Sequence, residues 1–158
     1  MSNFRYAKIS DLEQIQKLNL ALFEKEYDEY DQTFDLKWTM SELWKEYFRS
    51  SIESERACCL VAEVDDQVVG YLVWWLKKHR NPCRTLQQQA ELENMFVKKN
   101  YRWQWIWSSL VKEFLSWAKE KWVDNVCVTA SSANTDAVAF YRKQGFSDYD
   151  VTLELLLN

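Results

Sequence analysis

The most restrictive feature of this 158-residue chain is the order in which its hydrophobic periods change. Residues 4–9 alternate in the two-residue period of a short strand. Ser10 or Asp11 then starts a helix whose stripe is Leu12, Ile15, Leu18 and Leu22. An acidic, tyrosine-rich stretch covers residues 24–35. A second helix spans about 39–54, marked by Leu43, Tyr47 and Ile52. Residues 58–64 and 68–76 are two strand-like runs around the turn Asp65-Asp66-Gln67, a hairpin signal. A loop at 79–84 holds the only proline, Pro82. Residues 86–97 predict a long strand, 100–108 a connection, and 109–121 a helix burying Leu110, Val111, Phe114, Leu115 and Ala118. Residues 125–130 predict a strand, 135–144 a helix, and 146–157 a last strand. The order β-α-α-β-β-β-α-β-α-β implies an α/β (α+β) fold, with helices on both faces of one mixed sheet.

Nothing divides the chain into parts, and its length suits a single domain, residues 1–158. It has no run of 18 apolar residues, so no membrane partner is expected. The first residues lack the apolar core of a signal peptide, which makes the cytoplasm the expected location. No basic run suggests nucleic acid. Four cysteines and one histidine, without a CxxC pair, argue against a metal site and for buried, reduced thiols. Charge is uneven. Residues 1–66 carry 15 acidic and 8 basic side chains, and residues 67–158 carry 9 and 12. An acidic half beside a basic half suits a cationic substrate and an anionic cofactor, although two solvated surfaces give the same pattern.

Three pieces carry chemistry. The first is Ala90-Glu91-Leu92-Glu93-Asn94-Met95-Phe96-Val97, which sets two carboxylates among apolar strand residues. The second is Tyr101-Arg102-Trp103-Gln104-Trp105-Ile106-Trp107-Ser108, a loop entering a helix. The third is Asn134 followed by Ala137-Val138-Ala139-Phe140-Tyr141 and Gly145-Phe146. In their order and spacing they resemble the GNAT superfamily of acetyl-CoA-dependent N-acetyltransferases, most sharply over about residues 90–146. The resemblance implies a GNAT-like, mostly antiparallel central sheet. It makes residues 1–56 the acceptor side and 57–158 the cofactor side.

The same resemblance assigns roles. Phe96 and Val97 hold the pantetheine and thioester, with the Phe96 N–H polarising the acetyl carbonyl. Residues 102–108, namely Arg102, Trp103, Gln104, Trp105, Ile106, Trp107 and Ser108, form the pyrophosphate loop at a helix N-terminus. Asn134 bonds the pantetheine arm. Glu91, or its same-face neighbour Glu93, is the base that deprotonates the acceptor amine, and Tyr141 is the acid that protonates the leaving thiolate. Acetyl-CoA is the implied co-substrate, with no metal, and a small-molecule or peptide amine is the implied acceptor. Members of the family often dimerise, so a homodimer is among the expected assemblies. An ion-paired strand glutamate and a core-edge helical tyrosine are the competing readings of Glu91 and Tyr141.

The centre of the second piece departs from the family. Its pyrophosphate loop runs Gln/Arg-x-x-Gly-x-Gly/Ala, and this chain has Arg102 but Trp105 and Trp107 in place of the glycines. Trp103 stands where a third is common. The whole chain has nine tryptophans and two glycines. Average usage is about 7% glycine. An alternating aromatic strand is one reading. A non-catalytic binding domain with a blocked loop is another. The preferred one is that several tryptophans, among them those at 44, 74 or 75, 103, 105, 107 and 122, are glycines in the source organism. A genome reading UGA as glycine, translated with a table reading it as tryptophan, produces this pattern.

Overall fold

The computed structural model describes residues 2–79, 81, 83–102 and 105–157. Its strands are β1 (Ser2–Tyr6), β2 (Ala57–Val64), β3 (Gln67–Lys78), β4 (Gln88–Val97) and β5 (Asn125–Val128). Its helices are α1 (Leu12–Glu29), α2 (Glu42–Glu53), α3 (Ile106–Glu120) and α4 (Thr135–Lys143). The five strands form one sheet in the order β1-β2-β3-β4-β5. Every pair is antiparallel except β4–β5, which is parallel. The parallel pair follows from a crossover through α3, as such pairs require.

β3 is apolar almost throughout because both its faces are covered. Val68, Tyr71 and Val73 pack with Ile15, Leu18 and Phe48 beneath α1 and α2. Val69, Leu72 and Trp74 pack with Leu110, Val111, Phe114 and Trp117 beneath α3. Asp65 and Asp66 make the hairpin turn with φ of 49° and 61°. These are the left-handed conformations that two-residue hairpins need. Gly70 meets another demand. A Cβ there would lie 2.9 Å from Val97 Cγ2 and 3.0 Å from the Phe96 carbonyl oxygen, so only glycine lets β3 approach β4.

The expected last strand is not formed. Residues 146–157 lie in no strand, and Val151, Leu153, Leu155 and Leu157 are each more than four-fifths exposed. Apolar alternation makes a strand only where a neighbour takes the backbone groups, and this segment pairs with nothing in the sheet. Its first residues are held by side chains instead. Arg142 Nε donates to Asp148 Oδ1 at 2.9 Å, and the Arg84 guanidinium lies over the Tyr149 ring. Among the cysteines, Cys58 and Cys59 are buried, but Cys83 is exposed, against the expectation for all four.

Among the described tryptophans, those at 105 and 122 stand apart. Both have left-handed backbones, with φ of 55° and 54°. Trp122 follows the end of α3, where its N–H bonds Lys119 O and the Val123 N–H bonds Ala118 O. That pattern closes a helix and favours glycine. Trp122 is 89% exposed, so its indole adds almost no burial to offset the backbone cost. We expect Trp122→Gly to raise stability by about 1 kcal/mol. In a chain of this size that is about 2–4 °C in Tm. Thermal unfolding checks it, and a lower midpoint would overturn it.

Candidate active site

The β4–β5 ladder ends at Leu92 and Val128. One step beyond, β4 bulges. Val73 pairs with Asn94 and Trp74 with Leu92, which leaves Glu93 without a cross-strand partner. A bulge re-aims side chains. The space beyond the ladder is a cleft of about 470 Å³. Its walls are Leu92–Phe96 of β4, Val128 at the end of β5 with Thr129–Ser131 beyond it, one face of α4, and the C-terminal half of α1.

The cleft gathers several of the expected residues. Glu93, Phe96, Arg102, Trp107, Asn134 and Tyr141 all line it. Asn134 is fixed because its Oδ1 caps α4, accepting from the Ala137 N–H at 3.1 Å. Its Nδ2 donates to Glu26 at 3.3 Å. Tyr141 stands edge-on between Phe140 and Phe146. Burial, and then the charge of Glu26, hold its phenol above the ordinary tyrosine range, so it keeps its proton.

Other expected residues lie elsewhere. Glu91 is buried and does not line the cleft; it accepts from Lys77 Nζ at 2.7 Å. Val97 and Ile106 are core residues with side chains fully enclosed. Ser108 accepts from Gln144 at 3.5 Å and also lies outside the cleft. Trp103 and Gln104 are outside the described residues. Trp105 precedes α3, and its ring lies against Phe4 of β1, 6.0 Å between centroids, outside the cleft lining. Among the described residues, only Trp107 brings an indole to the cleft lining, packed edge-on against Phe140. Arg102 lies over Phe96 and Trp107, and its Nε donates to the Val97 carbonyl at 3.0 Å.

The backbone of β4 also differs from expectation. The Lys98 N–H donates to Val69 O on β3. Residues of an antiparallel ladder alternate in direction. The Phe96 N–H therefore faces β3, and the N–H groups of Met95 and Val97 face away from it, on the cleft side.

Sequence reasoning missed a buried polar chain beside the cleft. The Trp44 indole N–H donates to Asn19 at 2.6 Å, and Asn19 donates to the Tyr71 hydroxyl at 2.8 Å. Asn94 donates to the Tyr47 hydroxyl at 3.1 Å, and Tyr47 donates to Glu93 at 2.5 Å. Burial first, and then the Glu93 carboxylate, push the Tyr47 pKa upward. Tyr47 of α2 had no signal beyond an apolar stripe, and Trp44 of the same helix was singled out only as one of the surplus tryptophans. The acidic stretch also resolves. Glu24, Glu26, Asp28 and Glu29 belong to α1, and only Glu26 and Asp31 line the cleft. Burial raises the Glu26 pKa, against the opposing effects of Lys25 and Asn134.

A strand pair opening into a cleft, with Asn134 and Tyr141 on the helix beyond it, meets a direct comparison. The family model described as "Acetyltransferase (GNAT) family" matches residues 19–146. The chain belongs to the GNAT acetyltransferase family. An N-alpha-acetyltransferase from Sulfurisphaera tokodaii is 25% identical over 151 residues, covering 93% of this chain and 81% of the relative. A mutant of the BH1408 protein from Bacillus halodurans superposes with a TM-score of 0.88 at 21% identity, covering 99% of each chain. A predicted acetyltransferase from Clostridium acetobutylicum, solved with acetyl-CoA, gives a TM-score of 0.76 at 21% identity, covering 99% of this chain and 96% of that one. This GNAT chain is an N-acetyltransferase using acetyl-CoA. Among the described residues, no helix is long and apolar enough to cross a membrane, and no three His, Cys, Asp or Glu side chains are grouped to hold a metal.

Proposed function

We propose that this domain transfers acetyl from acetyl-CoA to a primary amine on a cationic acceptor, with Glu93 as base and Tyr141 as acid. The observation that carries it is the single cleft holding Glu93, Asn134 and Tyr141 beside the end of the β4–β5 ladder. An ammonium has no lone pair, so Glu93 takes its proton, directly or through water. The neutral nitrogen forms a bond to the thioester carbon. The Met95 or Val97 N–H, on the cleft side of β4, stabilises the oxyanion in place of the Phe96 N–H. The C–S bond breaks, the thiolate takes its proton from Tyr141, and the second proton lost by the attacking nitrogen returns through solvent to the Tyr141 phenolate, leaving a neutral amide. Asn134 orients the pantetheine arm. Glu93 displaces Glu91 as the favoured base because it lines the cleft and Glu91 does not.

The acceptor wall supports a cation. Glu26 and Asp31 line it with Phe23, Tyr30 and Phe34, a combination of carboxylates and ring faces that suits an ammonium. Elements from both halves of the domain build this one site. The test is thiol release across a panel of amines. Glu93→Gln should lower kcat by about 10²-fold or more, without matching loss of acetyl-CoA binding. Full activity of that variant would remove Glu93 from the mechanism.

A second reading, a binding domain that no longer takes coenzyme A, is favoured by the Trp107 indole in the cleft. Glycine at 105 and 107 in the natural protein reconciles it with the first. Trp105 and Trp122 have the left-handed backbone of glycine. Among the described residues, the indole N–H groups of Trp74 and Trp107 are buried without a partner, a cost that a genuine tryptophan normally avoids. Trp44 fits its place, stacked on Tyr47 and bonded to Asn19. Codons decide: UGG at 105, 107 and 122 would exclude recoding. Calorimetry with acetyl-CoA should show tighter binding when 105 and 107 are glycine.

A further inference from the structure

The two sides of the sheet end differently. β1, on one side, carries Arg5, whose guanidinium is tied to Asp11 and Glu63. An edge strand bearing such a charge resists further pairing. On the other side β5 is the last strand among the described residues, and its four residues carry no charge. No residue of β5 or α4 is fully buried, whereas β2, β3 and β4 each hold buried runs. Asn125 Oδ1 is buried there without a donor among the described residues. The core is therefore incomplete beside β5. The segment after α4 has the opposite character. Val151, Leu153, Leu155 and Leu157 alternate along it, each more than four-fifths exposed, and it pairs with no described strand. Folded chains rarely leave an apolar strand of this kind in water.

We propose that residues 150–157 are a dimerisation strand: in a two-fold pair of chains, each copy lays this segment along β5 of the other. The occupant is a second copy because one chain carries both halves of the contact, an apolar strand without a sheet and a sheet end without a cover. One two-fold rotation then satisfies each of them twice. The area agrees. A Val or Leu side chain carries about 100 Å² of apolar surface. Four of them, the surface they cover and the two-fold repeat bury about 1,600 Å² in total, the size of a stable protein interface. The chain's own β5 is not the receiver. Asp148 is held by Arg142 of α4, and the Tyr149 ring lies beneath Arg84 of the β3–β4 connection. From these two anchors the segment runs out into solvent and not along the sheet.

Sedimentation of the chain over a range of concentrations, with amide hydrogen exchange on the same samples, tests the proposal. The expected species has twice the 19.0 kDa mass of one chain. As it forms, the amides of residues 125–128 and of residues 150–157 should gain protection together. Leu153→Glu, alone and combined with Leu155→Glu, alters side chains that are exposed in the single chain, so both variants should fold. Each should weaken dimerisation by about 10²-fold or more, because every substitution counts twice across the two-fold axis. A chain that stays monomeric to about 100 μM would overturn the proposal, since an interface of this size is micromolar or tighter. So would protection of residues 150–157 in the monomer, which would place the segment on its own sheet. A dimer in which these residues exchange as open chain, or one that both variants leave intact, would overturn it too.

Discussion

Tyr141→Phe should lower kcat by about 10²–10⁴-fold, the range for losing a positioned general acid, with the KM for acetyl-CoA little changed. The ring itself makes the packing contacts, edge-on to Phe140 and Phe146, and phenylalanine keeps them. In the proposed mechanism, what is lost is the proton given to the sulfur. Burial and the Glu26 charge raise the Tyr141 pKa, so the phenol holds its proton through neutral pH and past about 10, the value of a free tyrosine. The alkaline limb of kcat set by this group therefore lies above that value. Acyl donors with a more acidic thiol need less protonation at the leaving group, and the variant's defect should shrink with them. An equal defect with all donors, or no defect, would remove Tyr141 from the acid role.

The largest stability effect is expected at Trp74. Its side chain is fully enclosed between the sheet and α3, with ring centroids 5.2 Å from both Phe114 and Trp117. Trp74→Ala should cost about 3–5 kcal/mol. The buried indole N–H has no partner, which places the loss near the lower end. Trp74→Phe keeps most of the ring contact and removes the orphaned N–H, so it should cost less than about 1.5 kcal/mol. Urea unfolding of the two variants checks the order. A well-tolerated alanine would mean that the pocket closes without an aromatic there, and would make a natural glycine at 74 plausible despite its ordinary strand backbone.

The tryptophan question shows how the two levels of description divide. Counting residues singled out six positions without ranking them. The backbone ranks them: left-handed φ occurs at 105 and 122, while the tryptophans at 44, 74 and 75 have no backbone reason to be glycine. A composition has no φ angles, and only a folded chain shows where a Cβ is strained.

The same division runs through the site. Asn134 and Tyr141 were legible because a cap and a helix face depend on short spacings, and α4 keeps them. The choice between Glu91 and Glu93 was not, because strand alternation puts both on one face. What distinguishes them is where the β4–β5 ladder ends, because the cleft opens beyond Leu92 and so takes in Glu93 but not Glu91. Tyr47, Lys77 and Glu26 come from α2, β3 and α1, and no local pattern links them to β4.

By itself, the sequence determined the order of elements, the four helices, the hairpin and the family, because periods and short motifs are local. It erred at residues 146–157, where alternation is present but no neighbouring strand supplies hydrogen bonds. The tertiary structure alone decided which carboxylate reaches the cleft, which N–H groups of β4 face it, and that Lys77 of β3 and Tyr47 of α2 meet Glu93. Each of these depends on how distant segments register against one another, and register is fixed only when the sheet closes its ladders.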